Sequence, residues 1–137
     1  VLIAEGLVVS AIDASAKLVA AFKRRFPDVE VACEPAEGSR FFDRTFDAAL
    51  AVGVMFLLPA DSQRELISRI GVALKSGGGF LFSAPREACT WDDLLTGKPS
   101  ISLGAEAYET ILARCSFRLV DEHIDEGENH YFEARKR

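Results

Sequence analysis

The spacing of apolar residues changes period several times along the chain. The apolar run Leu7–Ile12, within "LVVSAIDAS", predicts a strand buried on both faces of a parallel sheet, and it ends on Asp13. Before it, Val1–Gly6 reads as a helix tail stopped by glycine. After it, Leu18, Val19, Phe22 and Phe26 share one helical face while Lys23, Arg24 and Arg25 face water. This predicts a helix from a Ser15 cap to Phe26, broken by Pro27 and Asp28. Val29–Cys33 predicts a short strand, Glu34–Thr45 a loop, and Phe46–Val52 a further apolar strand followed by Gly53.

The second half alternates in the same way. Ser62 and Glu65 have capping-box spacing and predict a helix to Lys75, its buried face formed by Leu66, Ile67, Ile70 and Leu74. Gly77, Gly78 and Gly79 should stop that helix before a strand at Phe80–Ala84, ended by Pro85. Arg86–Leu103 reads as a long polar loop containing Trp91, and Gly104–Cys115 as a helix. Phe117–Asp125 and Asn129–Arg135, joined through "EGE", predict a hairpin whose last strand runs antiparallel. Strand–helix alternation followed by a hairpin defines an α/β chain with a mostly parallel sheet.

Composition narrows the classes. The 137 residues suit one domain, and 49% hydrophobic content supports a packed core. No apolar run reaches the roughly 18 residues that span a bilayer, so no membrane association is expected. A net charge of −5 without a basic stripe excludes nucleic acid as an expected partner. The three cysteines, Cys33, Cys89 and Cys115, are far apart, so no metal site is expected. They read as buried, inert thiols in a reducing cytoplasm.

In open parallel sheets, ligands bind beyond the carboxyl ends of the strands. That rule selects Asp13, Glu34, Val52 with Gly53, and Ala84 with Pro85, together with the hairpin turn near Gly127. Asp13 is suited to accept hydrogen bonds from a ribose diol, the alternative being a simple cap for the helix at Ser15. Glu34 can accept from an adenine amino group or stand as a solvated carboxylate. Gly53 either lets backbone approach a ligand or only ends a strand.

With these tips in place, the chain resembles the class I S-adenosylmethionine-dependent methyltransferases. The resemblance rests on "VVSAIDAS", "FDAALAVGVMFLL", "LKSGGGFLFSAP" and the closing strand through "NHYFEARK", in that order. It implies a Rossmann-like three-layer sandwich, mostly parallel, with a C-terminal antiparallel hairpin strand. It also implies S-adenosylmethionine as cofactor and S-adenosylhomocysteine as product. By the same resemblance Asp13 holds the ribose and Ala14 packs near the adenine. Glu34, Pro35 and Ala36 flank the adenine edge, and Val52, Gly53 and Val54 lie beside the methionine part. Two departures stand out. Pro35 lacks an N–H, so a donor there must come from Ala36. Phe56 and Leu57 occupy positions where related enzymes often carry a histidine.

The family's glycine-rich loop begins roughly 20 residues before the acidic strand tip. Counting back from Asp13 passes Val1, and the only glycine upstream is Gly6. The expectation is therefore a single methyltransferase-like domain, 1–137, that lacks its first strand and loop. Such a fragment is expected to be inactive alone. The alternative is a natural remnant that pairs with another chain.

On the substrate side the candidates are Phe56, Arg86, Trp91, His130 and Tyr131, with a small molecule as the expected partner. No residue is assigned as the catalytic group, because a base is needed only where the acceptor must lose a proton. Three of them have a structural alternative: His130 packed beside aromatics, Trp91 a plug under its loop, and Arg86 paired with Glu87 or another surface acid. Two competing functions remain: an NAD-dependent oxidoreductase, and a non-catalytic Rossmann-like domain that binds a nucleotide or a partner. Neither oligomeric state nor the acceptor atom is legible.

Overall fold

The computed structural model describes residues 1–137. It contains two compact units, Val1–Phe42 and Asp43–Arg137.

The first unit opens on one helical turn in which the Glu5 N–H donates to the Val1 carbonyl at 3.1 Å. The turn ends with Gly6 N–H on the Ile3 carbonyl, Leu7 N–H on the Leu2 carbonyl, and Gly6 at φ +82°. This is the Schellman ending that glycine favours. Strand β1 (Ser10–Asp13) pairs in parallel with β2 (Glu30–Cys33), joined by helix α1 (Ala16–Arg25). Ser15 caps α1 as expected, its Oγ accepting from the Leu18 N–H at 3.2 Å. The strand is shorter than the apolar run. Leu7 and Val8 are exposed, and Ser10, Ala11 and Ile12 are only half-buried. The reason is pairing: β2 matches only four residues of β1, from Ser10 to Asp13, so the residues before Ser10 have no ladder to join. Within this unit Val19 is the only buried hydrophobic side chain. The loop after β2 contains two short turns, Ala36–Gly38 and Phe41–Asp43. Phe41, Phe42 and Asp43 all adopt positive φ, an unusual run for residues bearing a Cβ.

The second unit is built on a four-stranded sheet in the order β3–β4–β8–β7. Its strands are β3 (Phe46–Ala51), β4 (Leu74–Ser83), β7 (Phe117–Ile124) and β8 (His130–Lys136). β3 and β4 are parallel, and β8 is antiparallel to both β4 and β7, as the terminal hairpin pattern predicts. Helix α2 (Ala60–Ala73) links β3 to β4, and helix α3 (Ala105–Arg114) precedes β7. Phe80, Phe82, Phe117, Phe132 and Tyr108 are fully buried. Phe82 and Phe132 stack with centroids 5.0 Å apart, and Tyr108 meets Phe82 edge-on at 5.2 Å. Burial of each such ring contributes about 1.5–3 kcal/mol.

Three details differ from the sequence pattern. The capping box at Ser62 and Glu65 does not form, because α2 begins earlier, at Ala60, behind Pro59. Glu65 instead binds the Arg69 Nε at 2.7 Å, one helical turn on. The glycine run does not separate helix from strand. Leu74 is already extended and pairs with Phe46, while Ala48 pairs with Gly79. Asp47 therefore faces the bulge Lys75–Gly78, and a Cβ at Gly78 would lie 2.8 Å from the Lys75 carbonyl oxygen. Finally, Arg86–Leu103 is not a plain loop. It contains an antiparallel hairpin of β5 (Cys89–Asp92) and β6 (Pro99–Ser102). Short four-residue strands around a turn containing Gly97 carry too few apolar positions to show a period.

The cysteines also depart from expectation. Cys33 and Cys89 are exposed and Cys115 is half-buried, where desolvation raises its thiol pKa.

A buried polar network crosses the second unit. The Gln63 Nε2 donates to the carbonyls of Leu58 and Ile101, both at 2.9 Å. Its Oε1 accepts from the Tyr108 hydroxyl at 2.6 Å, and that hydroxyl accepts from the Leu103 N–H at 3.2 Å. Replacing Tyr108 with Phe leaves the buried Gln63 side-chain carbonyl and the half-buried Leu103 N–H without this partner. The expected loss in urea unfolding is about 1–3 kcal/mol, with an unchanged m-value.

Candidate functional site

Each unit presents its strand tips separately. In Val1–Phe42, Asp13 and Cys33 are the last paired residues of the two parallel strands. The Glu34 N–H donates to the Asp13 carbonyl at 3.0 Å, so the two acids lie on adjoining tips. Asp13 Oδ1 accepts from the Ser15 N–H at 2.7 Å, which fixes the turn into α1. Asp13 is therefore not the helix cap; that role belongs to Ser15. Its other carboxylate oxygen makes no hydrogen bond within the chain, and the side chain is exposed. The Ala14 carbonyl accepts a weak bond from the Cys33 Sγ at 3.7 Å. Glu34 and Ala36 are half-buried and Pro35 is exposed, at the entrance to the turn Ala36–Gly38.

In Asp43–Arg137 the tip of β3 is shaped by Gly53, at φ +72°. No atom of the chain lies within 4 Å of where its Cβ would stand, so within the chain glycine serves the backbone angle. Its N–H donates to the Ser83 Oγ at 2.8 Å. Ser83 is buried at the end of β4 and ties the two parallel tips together. A single serine in "FLFSAP" gives no periodic signal, and only the strand-tip rule could have marked it. Val52 and Val54, on either side of Gly53, are exposed apolar residues.

The structure places the five substrate candidates in two groups. Phe56 and Trp91 form one, with ring centroids 5.4 Å apart and planes tilted by 45°. Arg86, His130 and Tyr131 lie by the β7–β8 hairpin. There the His130 Nε2 is 2.9 Å from Glu122 Oε1, and the Arg86 Nε lies 3.6 Å from the same oxygen. The His130 ring packs edge-on against Phe132 at 4.8 Å. The Tyr131 hydroxyl donates to Asp125 Oδ2 at 2.8 Å. That bond raises the Tyr131 pKa, and bonds from Asn129 and Tyr131 lower that of Asp125. All three side chains thus have partners within the chain.

No group of His, Cys, Asp and Glu is arranged to hold a metal ion. No helix is long and apolar enough to cross a membrane.

The family model for a methyltransferase domain matches residues 2–78. The chain belongs to the class I S-adenosylmethionine-dependent methyltransferase family. No curated protein sequence matches it. Among solved structures, the 1,6-didemethyltoxoflavin-N1-methyltransferase of Burkholderia thailandensis, holding 1,6-didemethyltoxoflavin and S-adenosylhomocysteine, superposes with a TM-score of 0.76. Identity is 19%, over 98% of this chain and 63% of that one. A glycopeptide N-methyltransferase with bound S-adenosylhomocysteine gives 0.79 at 15% identity, covering 99% of this chain and 76% of that one. The magnesium protoporphyrin IX methyltransferase of Synechocystis PCC 6803, with bound S-adenosylmethionine, gives 0.74 at 14%, covering 98% and 62%. At these identities the likeness establishes the fold. It is α/β and Rossmann-like, with parallel strands followed by C-terminal antiparallel ones. The chain spans under two thirds of the Burkholderia enzyme, at 63% of its length.

The hairpin beside the site has a titration of its own. His123 lies 3.0 Å from Glu133 and 3.8 Å from Asp121, and the hydrogen bond to the Glu133 carboxylate is the main reason its pKa is raised. Protonation of His123 is therefore favoured in the folded state. Any stability it adds is fully present below its unfolded pKa and is lost as pH rises through the higher folded one. In Glu133→Gln, NMR titration should show the His123 pKa falling toward the ordinary histidine value.

Proposed function

We propose that this protein acts in S-adenosylmethionine-dependent methyl transfer to a small-molecule acceptor. Family membership is the observation that carries the reading, and the chemistry of the β1 and β2 tips supports it. Asp13 has one carboxylate oxygen committed to the Ser15 N–H and one free to accept from a ribose hydroxyl. Glu34 sits on the adjoining tip, where a carboxylate can accept from an adenine amino group. Ala14, Pro35 and Ala36 add small, flat surface around them without competing charge. When bound, S-adenosylmethionine supplies a methyl group on a sulfonium, open to in-line attack by an acceptor lone pair. What this chain's residues then contribute is positioning and exclusion of water. Neither needs a base unless the acceptor must lose a proton.

The acceptors of the similar structures are small molecules and a glycopeptide, as their names state, which supports a small-molecule acceptor here. On this reading Arg86 Nε, His130 Nε2 and the Tyr131 hydroxyl reach the acceptor only by exchanging their present partners, Glu122 and Asp125, while the other guanidinium nitrogens of Arg86 and the second ring nitrogen of His130 keep their own hydrogen-bonding capacity. Phe56 and Trp91 need no such exchange.

Calorimetric titration of the complete gene product should give saturable heat with S-adenosylmethionine and none with NAD. Tight NAD binding, or no response to S-adenosylmethionine, rejects the proposal. In Asp13→Ala the affinity for S-adenosylmethionine should fall roughly 10–100-fold, the effect of losing a charge-assisted hydrogen bond. An unchanged affinity would reduce Asp13 to a turn-forming residue.

A further inference from the structure

A cavity of about 760 Å³ opens in the Asp43–Arg137 unit against the β5–β6 hairpin. Its size lies within the roughly 300–1,000 Å³ typical of small-molecule sites. One wall is Leu57, Leu58 and Pro59, on the segment leading into α2. The other is Trp91, Pro99 and Ile101 of the hairpin. Trp91 is half-buried, and its tilted contact with Phe56 holds the indole in place.

The two walls are joined by one buried side chain. Gln63 spans from the Leu58 carbonyl to the Ile101 carbonyl through a single amide nitrogen, at 2.9 Å to each. Its oxygen is held by Tyr108, so the amide cannot rotate without breaking the network. The Leu58 and Ile101 carbonyls are thereby satisfied, and the apolar residues of the two walls share the lining with the polar Thr90, Asp92, Lys98 and Ser100. The charges at the cavity, Asp92 and Lys98, are opposite in sign, so no net charge selects an ion.

We propose that this cavity is the acceptor subsite, and that it takes an uncharged, planar aromatic or conjugated ring laid against Trp91. Gln63 is a positioning residue that fixes the spacing of the walls. The acceptor role rests on the methyltransferase reading above; the ring-binding role does not.

Trp91 is the only tryptophan, so the chain gives one indole N–H resonance in a ¹H–¹⁵N spectrum. The full chain, without S-adenosylmethionine, is titrated with 2-naphthol, decahydro-2-naphthol, 2-naphthoate and 2-naphthylmethylamine. The expected result is a saturable shift with 2-naphthol. The saturated alcohol should bind about 2–10-fold more weakly, the range aromatic pairing supplies, and both ions more weakly than the neutral ring. By calorimetry, Trp91→Leu should abolish the preference for the aromatic over the saturated ring. Gln63→Met, with its melting temperature checked, should weaken 2-naphthol at least threefold. Equal affinity for the saturated ring, preference for an ion, or no shift with any probe overturns the proposal. S-adenosylmethionine binding without naphthol binding rejects this cavity alone. The reverse result rejects the methyltransferase reading and the acceptor role with it.

Discussion

An amide side chain with no access to water must find every partner inside the protein, and the elements that supply those partners lose their freedom to move apart. Gln63 is that residue here. Leu58 comes from the loop just before α2, while Ile101 and Tyr108 come from a hairpin strand and a helix, 38 and 45 residues on, and each forms one hydrogen bond with it. Tyr108 extends the same constraint to Leu103, at the start of the turn into α3. No buried side-chain polar atom is left without a partner. A network satisfied this completely rigidifies what it joins, and its partial loss costs more than the bonds removed.

The aromatic layer and this network depend on each other. Tyr108 packs its ring on Phe82 and Phe132 and carries its hydroxyl to Gln63, so the core sets the position of the polar bond. The insertion of β8 between β4 and β7 brings Phe132 onto Phe82. Gly104, at φ +87°, begins α3 where a Cβ would meet the Ala88 backbone nitrogen at 2.9 Å. These contacts carry the hairpin β5–β6 on a rigid base while leaving its outer face free to vary.

Much of this was legible in the residues. Helix faces such as Leu66, Ile67 and Ile70 are read directly from their spacing, and the Ser15 cap from its place before an apolar period. Asp13 stood out because a charge ends an apolar run. What failed did so for identifiable reasons. The Leu7–Ile12 run looked buried on both faces, but burial depends on neighbours that no local pattern specifies. The Ser62–Glu65 spacing was right for a cap, yet Pro59 offered an earlier start and Glu65 had Arg69 within reach. Ser83 and Gln63 were invisible, since their roles arise chiefly from the partners Gly53, Ile101 and Tyr108, which are remote in sequence and brought close only by the fold.

The unequal distribution of buried side chains has a dynamic consequence. In Val1–Phe42 only Val19 is a buried hydrophobic residue, whereas β4 and β8 hold Phe80, Phe82, Phe132 and Ala134 out of water altogether or nearly so. The free energy needed to expose a backbone amide follows that density. Amides of β4 and β8 therefore exchange their protons through global opening, while those of α1 and β1 do so through local fluctuation. The carboxylates at the tips of the first unit stand on the part of the chain that breathes most easily.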